Sequence, residues 1–246
     1  MPLFGSLDVT ARGGQAPVVA SLADDTWEAE DSEILYLIFE YAADAAFQCI
    51  PPALHPALPP FGGLMFRHHP TSPVGPYTLA ELRVTARAGV HYVGYCPGGF
   101  VDNPDAVLML RDRYGWPVQQ ADVRLRRRYY GVEGRVELDG KTVADCRLEK
   151  PQIISGKDVL YTANMHLAQI DGRPRLAQVE AEYTFHRAER GAAHVSTLDT
   201  GAFGEARLKP TNPLPATMTQ STVKYREIRF LVEPDKPALH NTERIA

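Results

Sequence analysis

Several of the commonest chemistries have no foothold in this sequence. Cysteine occurs only at 49, 96 and 146, an odd set without C-x-x-C spacing, which argues against a disulfide framework and suits reduced thiols in a cytoplasm. There is no H-x-H or H-E-x-x-H pair to seat a metal and no G-x-S-x-G elbow to present a nucleophile. Gly62-Gly63 and Gly98-Gly99 have no phosphate-loop context and read as turn or bulge glycines. No apolar run is long enough to span a bilayer, and no basic segment leads into an apolar one as a signal peptide would. Internal repeats, low-complexity tracts and linkers are missing too. The formal net charge of −4 lacks the basic surface that nucleic acid requires. The expectation is a cytoplasmic chain with no metal, no cofactor and neither nucleic acid nor membrane as partner.

What is present is ordinary in bulk. The 246 residues are 44% hydrophobic and 23% charged, enough to build a sizeable core. Residues 1–31, with Gly13-Gly14 and the acids Asp24, Asp25, Glu28, Glu30 and Asp31, read as an N-terminal arm that is solvated or an oligomer contact. Residues 32–246 read as one domain. Ile34 to Glu40 is β-branched and aromatic and predicts a strand; Ala42 to Cys49 predicts a short helix stopped by Pro51-Pro52. Strands are expected over Gly63–His69, Tyr77–Arg87 and Val90–Cys96, and again over Thr222–Val232. Asn103-Pro104 is a helix start and Gly115 a helix end. Hairpins are expected to turn at Asp139-Gly140, within Ala121–Arg147, and near Asp171-Gly172, with a return strand from Leu176 to Phe185. Strands dominate and helices are short, so the class is α+β, mainly antiparallel, with a sheet that curls or closes like a barrel.

One segment carries a family likeness. Phe100 to Ala121 (FVDNPDAVLMLRDRYGWPVQQA) resembles the acetoacetate decarboxylase signature, in which an aspartate-containing turn leads into a helix, then a small residue, an aromatic, a proline and two lysines. Asp102, Arg111, Asp112, Gly115, Trp116 and Pro117 fit that frame. Pro70 to Tyr77, Asn164 to Leu176 and Pro213-Leu214-Pro215 resemble further family segments in the same order, covering roughly residues 32 to 232. The resemblance implies an acetoacetate decarboxylase-like fold and a small-molecule substrate. It also implies a homo-oligomer, for which exposed strand edges give an independent reason.

The family's chemistry does not transfer. It depends on a lysine made nucleophilic by a neighbouring cation, and the two positions after Pro117 are Val118 and Gln119. In the same register the family's two pocket carboxylates correspond to Leu64 and Leu79, and its substrate-binding arginine to Ser32. Strand periodicity suggests substitutes, because residues two apart share a face. Leu64, Phe66 and His68 would then face the pocket, as would Leu79, Glu81 and Arg83. His68 with Glu81 is the expected acid/base pair. Leu64, Phe66, Leu79, Arg83, Trp116, Val118 and Gln119 are the expected substrate contacts. The alternative for Glu81 and Arg83 is a cross-strand ion pair at the solvent end of the sheet. His68 and His69 point to opposite faces and do not suit one ion. Arg124, Arg126, Arg127 and Arg128, beside Tyr129-Tyr130, read as a solvated or subunit-contact face, and Lys150, Lys157 and Lys209 lie far from the signature.

Two functions follow as expectations. One is an enzyme without a lysine imine, of lyase or cyclase/isomerase type. It would enolise a keto acid or polyketide-like intermediate of secondary metabolite biosynthesis, then cyclise, dehydrate or decarboxylate it. The other is a non-catalytic protein that holds a small ligand in the same apolar cavity.

Overall fold

Long alternating strands account for most of the chain. The computed structural model describes residues 3–245. Near the N-terminus, Asp8 caps the short helix α1 (Val9–Gly13) by accepting from Ala11 N, and Leu7 and Ala23 are buried against the rest of the chain. Then follow β1 (Trp27–Tyr41), α2 (Ala43–Cys49), β2 (His55–Pro56), β3 (Phe61–His69), β4 (Tyr77–Ala88), β5 (His91–Val101) and α3 (Pro104–Tyr114). The second half holds β6 (Val118–Gln120), β7 (Asp122–Arg128), β8 (Gly131–Leu138), β9 (Lys141–Ile154), β10 (Ala163–Ile170), β11 (Arg173–Val179), β12 (Ala181–Leu198) and β13 (Pro210–Tyr225). β14 (Phe230–Val232), α4 (Ala238–Asn241) and β15 (Thr242–Arg244) complete it.

All strands join one mixed, mainly antiparallel sheet, ordered β15-β14-β11-β10-β5-β4-β3-β1-β13-β12-β9-β8-β7, with β2 on β4 and β6 on β5. Among the described strands, only β10 and β6 run parallel to their neighbour β5. The sheet curls until β7 packs across β3, β4 and β5. Its two faces bury two separate cores, as period-2 alternation demands. One holds Leu64, Phe66, Ala80, Leu82 and Val84 with Val132, Cys146 and Leu148. The other holds Met65, Leu79, Cys96, Trp116, Val118, Val223 and Tyr225. No helix among the described residues is long and apolar enough to cross a membrane.

Helix α3 forms where its caps direct. Asn103 Oδ1 accepts from the amides of Asp105 and Ala106, at 2.9 and 3.3 Å, and Pro104 occupies the first turn. Gly115 closes the helix at φ 63°, a left-handed geometry that glycine adopts without Cβ strain. The chain then reverses, and Trp116 N bonds Leu110 O at 3.0 Å. That turn sends Trp116 and Val118 into the second core.

Two stretches depart from the expected elements. Residues 121–147 form the meander β7-β8-β9, because Tyr129-Tyr130 makes a turn without the glycine or asparagine that usually marks one. The expected strands over 176–185 and 222–232 each break, at Glu180 and over 226–229, and β12 and β13 extend well beyond the expected segments. Gly191 in one and Pro210, Pro213 and Pro215 in the other masked them, since both residue types usually weaken a strand.

Candidate active site

Register decides which side chains meet. Met65 stands opposite Glu81 on the β3–β4 ladder, Arg67 opposite Leu79, and Phe66 opposite Ala80. Directly opposed residues share a face, so Met65, Arg67 and His69 lie with Leu79, Glu81 and Arg83. Strand β5 adds Cys96 to that face, β10 adds Asn164 and His166, and β1 adds Tyr36. Gly99 lets the strands close: a Cβ there would lie 3.3 Å from both Glu81 Cβ and Val118 Cγ1, and 2.7 Å from Ala80 O.

The result is a buried charged cluster. Arg67 Nη2 lies 2.8 Å from Glu81 Oε1, while Arg83 Nε is 3.9 Å away. Trp116 Nε1 donates to Glu81 Oε2 at 2.9 Å, and Asn164 Nδ2 approaches both carboxylate oxygens at 3.3 Å. Arg67 lies over the Trp116 ring, and both arginines donate towards Met65 Sδ. Burial opposes the Arg67 charge, but the facing Glu81 more than restores it, so its pKa is raised. Two guanidinium groups face one carboxylate, leaving the cluster one positive charge in excess. Among the described residues, Arg83 Nε, Asn164 Oδ1 and His166 Nε2 have no hydrogen-bond partner, which is costly for buried polar atoms unless a ligand completes them.

His166 brings a free lone pair to this cluster. Its ring packs on Trp116 at 4.4 Å, and Nδ1 lies 3.4 Å from Tyr114 O. A carbonyl only accepts, so the proton sits on Nδ1 and Nε2 is unprotonated. Burial, reinforced by the two arginine charges, lowers its pKa to about 3. Burial pushes the Cys96 thiol well up, so it is no thiolate nucleophile. Glu81, Cys96 and His166 bring ligand atoms within 4.8 Å of one another. The site nonetheless suits an anion better than a metal cation, because two guanidinium charges flank it and the Glu81 oxygens are already occupied.

Behind the cluster runs a second buried polar chain. Ser32 Oγ lies 2.8 Å from His69 Nδ1 and donates to Ala29 O, and His69 Nε2 is 3.0 Å from Tyr225 OH. Burial, with Arg67 nearby, lowers the His69 pKa to about 3.

Of the expected site residues, Leu79, Glu81, Arg83, Trp116 and Val118 come together here. Four do not. Leu64 and Phe66 belong to the opposite core. His68 shares their face and is half-buried, with Nδ1 against Thr78 Oγ1 at 3.1 Å. The cause is register: Glu81 is opposite Met65, so the odd-numbered face of β3 meets it. Gln119, next to the inward Val118, points outward into a cleft of about 300 Å³ with Arg12, Tyr95 and Pro97. Arg67, Asn164, His166 and Tyr36 were not expected. An arginine at the end of an apolar run, Leu64-Met65-Phe66-Arg67, was the one local signal of a buried counter-charge.

A curled antiparallel sheet closed over a buried ionic cluster defines the structural class. The acetoacetate decarboxylase (ADC) family profile matches residues 15–232, and the chain belongs to that family. Among solved structures it is similar to acetoacetate decarboxylase from Legionella pneumophila, with TM-score 0.74, 17% identity, and 83% of this chain and 88% of that chain covered. It is also similar to the enduracididine biosynthesis enzyme MppR complexed with the condensation product of pyruvate and imidazole 4-carboxaldehyde, with TM-score 0.68, 15% identity, and 86% and 96% covered. A third is an acetoacetate decarboxylase-like enzyme from Sphingomonas wittichii RW1, with TM-score 0.64, 13% identity, and 88% and 95% covered. At these identities the likeness establishes the fold. Among curated proteins, none matches the sequence significantly.

Proposed function

We propose that the buried cluster enolises a keto acid by acid/base chemistry without a lysine imine, as the first step of a lyase or cyclase reaction. The observation that carries this reading is the set of unpartnered atoms on Arg83 and His166 beside the Glu81–Arg67 pair. Arg83 holds the substrate carboxylate. His166 Nε2 takes the α-proton: the C–H bond breaks, an N–H bond forms, and the enolate oxygen faces the guanidinium charges. Burial is the main cause of the lowered His166 pKa; a bound carboxylate offsets the smaller contribution of the two arginine charges and to that extent strengthens the base. Glu81 holds Arg67 and Trp116 in place. The lysines, at 141, 150, 157, 209, 224 and 236, are all exposed or half-buried, which supports a reaction without an imine.

Proton exchange at pyruvate C3 in D2O, followed by NMR, tests this. The native protein should accelerate exchange, and His166→Phe should lower the rate by about two to four orders of magnitude. His68→Ala, on the far face, should leave it unchanged. The second reading, ligand binding without catalysis, draws on the apolar Met65, Leu79 and Val118 around the cluster. Oxo acids that bind without any accelerated exchange would establish it and overturn the first. Assembly as a homo-oligomer would cover the edge strands β7 and β15; light scattering giving only a monomer at micromolar concentration counts against it.

A further inference from the structure

The connection from β9 to β10 enters the same interior. Residues 155–162 form a strap with a single 3₁₀ turn at Gly156–Asp158, and its Lys157, Asp158 and Leu160 side chains are exposed. Inward it sends two groups. The Tyr161 ring lies against Tyr36, Tyr183 and Phe185, with centroids 6.3, 5.0 and 5.8 Å away, all edge-on. Its hydroxyl is 3.1 Å from Thr219 Oγ1. At the next residue, Arg83 Nη2 donates to Thr162 O at 2.9 Å and to Thr162 Oγ1 at 3.1 Å, and reaches Ala163 O at 3.5 Å.

A guanidinium is a planar fork that matches a carboxylate in shape and charge. Here uncharged strap oxygens occupy one arm of the fork, while Nε has no hydrogen-bond partner and lies 3.9 Å from Glu81 Oε1. The ring beside them sits in a cage of three aromatic side chains. Together they trace the two ends of one kind of molecule: an anionic head and an aryl tail.

We propose that Tyr161–Thr162 is a built-in placeholder for an aryl-bearing 2-oxo acid, its carboxylate destined for Arg83 and its ring for the cage of Tyr36, Tyr183 and Phe185. The inference rests on the proposed enolising site and names its substrate class. The ligand exchanges neutral acceptors on Arg83 for a charged one and swings the strap outward. Little else ties the strap down: Arg190 Nη2 donates to Asp158 O at the surface, and Gly156 packs on Phe185. The anchors given up at Tyr161 and Thr162 are the ones that the ligand's ring and carboxylate replace, so the strap opens locally at low net cost.

Calorimetry with phenylpyruvate, pyruvate and 3-phenylpropionate on the full chain, paired with hydrogen exchange over residues 156–162, tests the idea. Phenylpyruvate should bind roughly tenfold tighter than pyruvate and speed exchange in the strap. Tyr161→Ala, which empties the cage, should tighten phenylpyruvate further while changing pyruvate little. Phenylpyruvate binding no tighter than pyruvate overturns the inference, as does binding that leaves strap exchange unchanged. The third acid separates the two readings. Strap release by 3-phenylpropionate, with no oxo-acid proton exchange, upholds the placeholder and sinks the enolising reaction. Pyruvate exchange without aryl preference does the reverse.

Discussion

Arg67 Nη2 sits 2.8 Å from Glu81 Oε1, and both side chains are almost wholly removed from water. Neither charge is tolerable alone at that depth, so the pair acts as one unit. Glu81→Gln would leave Arg67 and Arg83 facing each other uncompensated. It should destabilise the fold by about 3–5 kcal/mol, read from urea unfolding. Adding Arg67→Met should recover part of that loss by removing one stranded cation. Simple additivity of the two substitutions would show that the pair is not coupled.

Val118 occupies the inward position of β6, beside Glu81 across Gly99. Borohydride with pyruvate should therefore leave the mass of the native protein unchanged. Val118→Lys would set an amine among two guanidinium charges, where burial and like charge favour the neutral, nucleophilic form. That variant should gain a reduced pyruvate adduct at position 118 alone, seen by peptide mass spectrometry. A native adduct on any lysine contradicts the imine-free reading; an untrappable variant contradicts the placement of position 118.

Much of this arrangement was legible in the sequence. The caps of α3 are local chemistry, readable from Asn103, Pro104 and Gly115, and they place Trp116 and Val118. The alternation of β4 correctly grouped Leu79, Glu81 and Arg83. The face of β3 was not legible, because Leu64-Phe66-His68 and Met65-Arg67-His69 each mix apolar and polar residues. Alternation within one strand carries no information on its register with the next. Asn164 and His166 arrive through the parallel pairing of β10 with β5, a long-range contact that no local pattern encodes.

His69 and His166 are both buried and neutral, each with its pKa lowered to about 3. In the unfolded chain a histidine titrates near 6.5. Between those values the unfolded state binds protons that the folded state refuses, so stability falls as pH drops from about 6.5 towards 3. Each histidine contributes a slope of about 1.4 kcal/mol per pH unit in that window. His166→Phe keeps the packing on Trp116 and should remove one such slope, flattening the acid limb of a plot of stability against pH. A variant whose acid limb matches the native one would show that His166 titrates normally in the fold.

Gly94 leaves the space in which the Arg83 guanidinium lies. A Cβ at position 94 would be 2.2 Å from Arg83 Nη2, 2.3 Å from Nε and 2.5 Å from Cζ. All three atoms belong to the end of one side chain, so Gly94→Ala must push the guanidinium away rather than distort the backbone. Arg83 is only 2% exposed, and overpacking of this kind typically costs about 1–3 kcal/mol. The larger consequence falls on ligand binding. With the fork displaced, a carboxylate loses its charge-assisted partner, and pyruvate affinity should fall roughly tenfold or more. Arg83→Met should produce a similar loss by deleting the fork outright. The two substitutions remove the same interaction, so the double variant should bind no more weakly than Arg83→Met alone. A further drop in the double variant would mean that Gly94→Ala acts on the site by another route, and native affinity in Arg83→Met alone would show that Arg83 is not the anchor for the carboxylate.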